Sequence, residues 1–549
     1  MKLKRVSQGF SAVSFLQSLE TAPGETRPAH TKPIIEIDSQ GMITALPQPE
    51  RSSAELWEAL SRLYEVLANK VVINHSLDMN FGASGLQQVA LDETSMRHGI
   101  ARASTSYASA ILLPVLNFVV GRIVLIKGGP GQGKTQIVTA LMYASGMDPE
   151  VIKECLLQCY PGRTYEQLVG IALPKSLMEA EGIEDFRIAW LPWTRPENHV
   201  IGWDEVNRLD RDVQGATLTA LGDRYLEVRG QVTHIDGRPI YMTANDEGTG
   251  GVQGLIEPLI DRIDVHLRMP PMAPAGIDII NQRIAKGQKP LDVIPDHLRF
   301  TPAELKRMKQ DVRALPLDPT ILDRLMYFWA QTLFCGKAAP DDYGMQNKDH
   351  AIGNGWSFPQ FCDKCAVNTK ENLCSTVTRV LSARPIMPIL EFARAAAFFN
   401  GDTKVDIAHL TPLLPPMIGP KFDLNGENSE FWRQREFKPW VSEEARRHID
   451  KAASLRRLWL KTNEFFDRDV KNTRKSWADA MERFCRGFDV MSVAEAQALE
   501  KELWQLLNNE KNLKAGHNPY IYFVRLQLAD MHNKTRSYIH WKQQNPDGR

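Results

Sequence analysis

The 549-residue chain lacks an excess charge of either sign, with 66 Lys and Arg against 66 Asp and Glu. That balance argues against a surface built throughout to hold nucleic acid and leaves room only for a local basic face. It also lacks a long hydrophobic run. The longest, "ASAILLPVLNFVV" from Ala108 to Val120, contains Pro114 and Asn117 and stops at Arg122, short of the ~20 residues that a membrane span needs. Burial inside the protein is expected for it. Cysteine is scarce: there are seven, an odd number, and four crowd between Cys335 and Cys374. This suits a reducing compartment better than a secreted disulfide framework, and a cytoplasmic location is expected. The first twenty residues are basic and contain serine, but they have no secretory apolar core and reach Glu20 quickly, so they read as a mobile tail. No internal repeat and no low-complexity tract occurs. A chain of this length has room for about three or four domains, with cores that need neither disulfides nor metals.

What is present falls into successive segments. Residues 1–50 read as a tail and a hairpin, with "IIEIDSQGMITAL" as strand, turn and strand around Gly41. Residues 51–105 form a helical segment: Ser52 and Glu55 make a capping box, and Leu56, Trp57, Leu60, Leu63, Tyr64 and Leu67 recur at helical spacing. From 106 to 270, short apolar strands alternate with helical runs, the pattern of an α/β domain with a parallel sheet. The candidate strands are Ile123–Lys127, Leu156–Cys159, His199–Trp203 and Ile240–Ala244. Gly202 and Trp203 are unusual in a buried strand and predict a local irregularity. "MPPMAPAG", Met269 to Gly276, with three prolines, reads as a hinge. Residues 271–420 read as a helical lid with a cysteine-containing insertion, and 421–549 as a helical C-terminal domain.

The stretch Gly128, Gly129, Pro130, Gly131, Gln132, Gly133, Lys134 and Thr135 fits G-x-x-x-x-G-K-[ST], with an apolar strand before it and a helical run after. Glycines let the backbone curl so that successive N–H groups point at phosphate oxygens, and the helix offers its positive end to the same charge. Lys134 can then reach the β and γ phosphates, and the Thr135 hydroxyl can ligate Mg²⁺. A second anion for the metal and a base for water are supplied by "HVIGWDEVNRLD": Asp204 as the Mg²⁺-holding acid and Glu205 as general base.

With these residues in view, the chain resembles the AAA+ ATPases, and among them the MoxR branch. The resemblance rests on "GGPGQGKT", "DEVNR" at Asp204 to Arg208, "TANDEGTGGVQGLIEPLIDRID" at Thr243 to Asp264 and "LSARP" at Leu381 to Pro385, and it covers roughly Ser106 to Pro420. It implies a P-loop core with a parallel sheet, ATP and Mg²⁺ as cofactors, and an ATPase. Asn245 matches the polar sensor that helps place the attacking water. Arg262 matches the finger inserted by a neighbouring subunit, and Arg384 the lid arginine that reads the γ-phosphate. Arg208 and Arg224 are weaker candidates for contacts across the subunit boundary. A site completed by a neighbour implies a homo-oligomeric ring, most often of six, that remodels or assembles protein partners. Hydrolysis would move core against lid at the hinge. The resemblance also suggests a C-terminal module that docks a partner such as a von Willebrand A domain. Asn245-Asp246 stands where the family usually has Asn-Pro, so the following loop is expected to be shaped differently. The alternatives are a motor or regulator acting on nucleic acid, including a defence-type system, and a nucleotide-switched scaffold with little turnover.

Two further features lie beyond the resemblance. Cys335, Cys362, Cys365 and Cys374, with His350 in the interval, could form a tetrahedral Zn²⁺ site, or be reduced thiols. From Phe431 to Lys475, thirteen Lys or Arg face seven Asp or Glu, interleaved with Phe431, Trp432, Trp440, Trp459, Phe465 and Phe466. Such a run can hold a nucleic-acid strand. The favoured reading is an amphipathic helix with its aromatics in a core.

Overall fold

The computed structural model of the chain describes residues 35–37, 43–45, 51–72, 78–81, 106–173, 176, 178, 187–195, 198–235, 237–246, 253–270, 274–335, 346–347, 381–421, 455–456, 458–468, 471–488, 491–508 and 519–544. The backbone divides into two units, Met1–Leu317 with Arg384–Met417, and Asp318–Ala383 with Ile418–Arg549.

In the first unit, β1 (Ile35–Ile37) and β2 (Ile43–Ala45) pair antiparallel. Helix α1 (Ser53–Val66) begins at the expected capping box: Ser52 accepts from the Glu55 N–H, and the Glu55 carboxylate accepts from Ser52 N at 2.9 Å. Its face of Leu56, Leu60 and Leu63 is buried. Helix α2 (Ser109–Val120) is buried along nearly its whole length, as an apolar run too short for a bilayer should be. Its Asn117 closes the turn into the next strand, donating to Arg122 O at 3.0 Å and accepting from Arg122 N at 2.8 Å. Among the described residues no helix is long and apolar enough to cross a membrane.

Next come β3 (Ile123–Gly128), α3 (Lys134–Ala144), β4 (Leu156–Gln158), β5 (Gly170–Ala172), β6 (Ile188–Trp190), β7 (Ile201–Asp204), β8 (Tyr225–Val228), β9 (Gln231–His234), β10 (Ile240–Asn245), α4 (Glu257–Arg262) and β11 (Val265–Arg268). Five of the strands form one parallel sheet in the order β11–β3–β10–β7–β4. The fold class is therefore the expected α/β P-loop core followed by helices. All six residues of β10 are buried, as a central strand covered on both faces requires. The pairs β5–β6 and β8–β9 are separate antiparallel hairpins.

The irregularity expected at Gly202 and Trp203 does not occur: β7 pairs in simple register with Tyr241 and Met242 on one side and Leu156 and Leu157 on the other. Glycine is there for space. A Cβ at 202 would lie 2.8 Å from Leu156 Cδ1 and 3.0 Å from both Met142 Sδ and Val138 Cγ1, so the missing side chain lets α3 lie close on the sheet.

The helices α5 (Pro302–Ala314), α6 (Ile321–Leu333) and α7 (Ile386–Asn400) follow. Here the structure departs from a single lid over 271–420. Helices α5 and α7 pack with α1 and α2. Arg51 grips Glu304 through Nε at 2.6 Å and Nη2 at 2.8 Å, and Trp57 donates to Phe398 O at 2.9 Å. Residues 318–383 belong instead with the C-terminal residues. The physical reason is the apolar face of α6: Tyr327 and Ala330 enter a core with Phe466, Trp477, Leu503 and Leu528. That core is closed by α8 (Lys471–Cys485), α9 (Val493–Asn508) and α10 (Pro519–Gln544).

Trp459 and Phe466 are fully buried, which favours the amphipathic reading of the basic aromatic run, while Phe431, Trp432 and Trp440 lie outside the described residues. Of the expected zinc ligands, Cys362, Cys365 and Cys374 lie outside them too, and Cys335 is described only as backbone of a two-residue strand. Among the described residues no group of three or more His, Cys, Asp or Glu could hold a metal ion. Cys155 and Cys159 are buried, and burial pushes the Cys159 thiol up to about 12, so it stays protonated.

Candidate active site

The sheet register brings the site together. Gly128 at the end of β3 lies opposite Asn245 at the end of β10, and Asp204 ends β7 beside Gln158 of β4. Ligands of parallel α/β sheets bind at this carboxyl edge. The chain leaves β3 through a loop whose Gly131 and Gly133 have φ of 74° and 81°; at Gly133, the residue before α3, only glycine takes that left-handed conformation without strain. Gln132 folds inward and accepts from Gly129 N at 2.8 Å. Lys134 is buried and donates to Gly128 O and Gly129 O, both at 2.7 Å, and to Asn245 Oδ1 at 3.0 Å. Burial holds its ammonium below the usual lysine range, with Asp246, Asp204 and Glu205 pulling the other way.

The Thr135 hydroxyl lies 2.9 Å and 3.1 Å from the two oxygens of Asp204. Asp204 also accepts from Gln158 Nε2 at 3.2 Å and from the Thr243 hydroxyl. That hydroxyl in turn accepts from Glu205 N at 2.9 Å, so one side chain ties both acids to β10. Glu205 itself has φ 57° and ψ 44°, a conformation that costs a non-glycine residue roughly 1–3 kcal/mol and persists only where neighbours enforce it. Its carboxylate accepts from Asn245 Nδ2 at 2.7 Å and lies 2.9 Å from Arg208 Nε, an ion pair without hydrogen-bond alignment. Asn245 thus bridges Lys134 and Glu205. Asn207 locks it in place, donating to Asn245 O at 2.8 Å and accepting from Asn245 N at 3.2 Å.

Five of the residues read from the sequence therefore converge: Lys134, Thr135, Asp204, Glu205 and Asn245. Arg262 does not join them. It ends α4, donates through Nη1 to Pro258 O at 3.2 Å, and its buried Nε has no hydrogen-bond partner among the described residues. Arg384 pairs with Asp261, the neighbour of Arg262, at 2.9 Å. Arg224 donates to the carbonyls of Arg238 and Gly121, both at 3.2 Å. Asp246 pairs with Arg268 at 3.1 Å, and the loop after it, 247–252, lies outside the described residues. Sequence reasoning missed Gln158, Asn207 and Thr243. The signal for Thr243 was its position two residues before Asn245, which puts both on one face of β10.

A family model described as "AAA domain (dynein-related subfamily)" matches residues 123–263, which hold the loop, both acids, Asn245 and Arg262. This segment is an AAA domain. The match spans about a quarter of the chain, and Arg384 and the second unit lie outside it. No curated protein matches the chain. A solved structure from Cytophaga hutchinsonii, described as a "putative ATPase", is similar to the chain at 14% identity and a TM-score of 0.44, covering 72% of this chain and 94% of that one. As an AAA domain the segment is of a kind that binds ATP. The residues present suit Mg²⁺ as its companion, since a hydroxyl and a carboxylate within 3.1 Å of each other are the hard oxygen donors that ion takes.

Proposed function

We propose that the chain is an ATPase of MoxR type that works as a ring and remodels or assembles protein partners. The observation that carries the chemistry is the chain of contacts Lys134–Asn245–Glu205 beside Thr135–Asp204. Lys134 would exchange its loop carbonyls for β- and γ-phosphate oxygens. Thr135 and Asp204 would hold Mg²⁺, which supplies charge neutralisation for phosphoryl transfer. Glu205 takes the proton of the attacking water, and Asn245 orients that carboxylate. Arg262 contributes from a neighbouring protomer, and Arg384 reads the γ-phosphate.

Exposed apolar side chains on the hairpins support a protein client: Ile171 (52% exposed) and Leu173 (42%) at β5, and Val232 (50%) at β9. Three such exposed residues on two short hairpins suit transient contact with an unfolded or loosely held chain. The Arg208 ion pair with Glu205 favours a second reading, a nucleotide-switched scaffold with little basal turnover. Glu205→Gln distinguishes them. The substituted protein should retain ATP but lose at least about a hundredfold in turnover, and should hold client proteins that the wild type releases. Equal phosphate release by the two proteins refutes the role of Glu205.

A further inference from the structure

The second unit carries one built surface that nucleotide chemistry does not use. Phe488, Asn533, Lys534, Ser537, Tyr538 and Trp541 line a shallow, open depression of about 450 Å³. On α10, Asn533, Ser537 and Trp541 follow one another at four-residue spacing, and Lys534, Tyr538 and Lys542 form the adjacent row, so the two rows share a helix face. The rings are fixed. Phe488 lies flat on Tyr538, with centroids 4.6 Å apart and planes 12° apart, and Phe484 braces Phe488 edge-on at 5.6 Å. The Tyr538 hydroxyl donates to Met491 O at 3.0 Å. Trp541 is 47% exposed, and the Lys542 ammonium sits 5.4 Å from its ring centre. Lys534 pairs with Asp530 at 2.6 Å, an exposed pair one turn apart that a stronger anion can displace. Asp530 is also the single acid of α10, against Arg525, Lys534, Arg536 and Lys542.

Flat rings held in place, polar amide and hydroxyl groups between them, and lysines alongside offer a π surface and positive charge together. A partner helix would need an aliphatic stripe where Asn533 and Ser537 stand. An acidic peptide would use the lysines and leave the rings idle. A single strand of nucleic acid uses both, since every base offers a π face and every linkage a phosphate. We propose that this face binds single-stranded nucleic acid, with bases stacked on Trp541 and on the edge of the Phe488–Tyr538 pair and phosphates at Lys534 and Lys542. The near-zero net charge of the whole chain makes this a local contact and not a general affinity for polyanions.

The test uses the full chain without ATP, so its outcome is separate from that of the ATPase reading. Labelled oligo-dT and oligo-U of about fifteen nucleotides are titrated by anisotropy and by tryptophan fluorescence. Saturable binding with quenching is expected. Trp541→Ala and Trp541→Leu should each weaken it about 5- to 100-fold, while Trp541→Phe keeps most of it. The double change Lys534→Gln with Lys542→Gln should flatten the plot of log affinity against log salt by about 1.4. No saturable binding, or binding indifferent to Trp541→Leu in a protein with unchanged circular dichroism, overturns the proposal. So does polyglutamate of the same length binding as tightly as the oligonucleotides, since that result describes an acidic-peptide surface.

Discussion

Thr243 shows how single residues set the site: one hydroxyl accepts from Glu205 N and donates to Asp204, so both acids are tied to β10. Neither this nor the Asn207 lock on Asn245 was legible in the sequence, because a motif marks the groups that touch a ligand and is silent on those that hold them. Lys134, Thr135, Asp204, Glu205 and Asn245 were legible because phosphate chemistry restricts their types and spacing. His409 is another residue that only the structure reveals. It is buried under the Phe81 ring, with Asp402 2.8 Å from Nε2 and Asp406 2.9 Å from Nδ1. Burial alone would lower its pKa, but the hydrogen bonds to the two carboxylates outweigh it and raise the group to about 9 from 6.5. Asp406 is correspondingly held below its usual range, chiefly by its hydrogen bond to His409. A raised folded-state pKa gives stability that is complete below the unfolded value and is lost as pH climbs through the folded one. The unfolding free energy of the wild type should therefore fall between about pH 6.5 and pH 9, by an amount on the order of 3 kcal/mol, and its unfolding midpoint with it. His409→Gln should be less stable at pH 6 and should lack most of that decline. A wild-type midpoint that stays level across the window rules the ion triad out as a source of stability.

At the scale of elements, four of the five sheet strands were readable, the three central ones because burial on both faces demands continuous apolar runs, as in "IVLI" and "IYMTA". The edge strand β11 was not: "VHLR" is four residues long, carries His266 and Arg268, and runs at once into prolines. The hairpins β5–β6 and β8–β9 are three and four residues per strand with mixed burial, too short for a period to register. The helical face of α6 was visible, but its allegiance to the second unit depends on partners more than a hundred residues away, such as Phe466. Gly202 was misread as a disruption because spacing cannot report how near α3 lies. The contact distances give a prediction for it. In Gly202→Ala the new methyl would press Leu156, Met142 and Val138, and overpacking of this kind costs roughly 1–3 kcal/mol. Since α3 carries Lys134 and Thr135 at its start, nucleotide affinity should fall together with thermal stability. A thermal shift assay with and without ATP reads both, and an unchanged ATP-induced shift would show that α3 keeps its place.

At the scale of the whole molecule, the role proposed for Arg262 bears on what the chain can do alone. Among the described residues Arg262 lies beside Pro258 and Gly222, makes no hydrogen bond or ion pair with Lys134, Thr135, Asp204, Glu205 or Asn245 of its own protomer, and its buried Nε has no acceptor. An unpaired buried guanidinium nitrogen costs on the order of 1–3 kcal/mol, a cost that a role across a subunit boundary would explain. If the finger comes from a neighbour, the two halves of each site lie on different chains and can be repaired separately. Arg262→Ala should lose turnover by on the order of 10³-fold or more while still binding ATP, and Lys134→Ala should lose both. Mixed in equal amounts, the two inactive proteins would form rings in which a Lys134-bearing site meets an Arg262-bearing neighbour at roughly a quarter of the boundaries. Phosphate release should therefore reappear at about a quarter of the wild-type rate, rise with protein concentration, and vanish when either protein is diluted below the assembly threshold. A finger acting within its own chain forbids this result, because no protomer in the mixture then contains an intact site, and the mixture would stay as inactive as its parts.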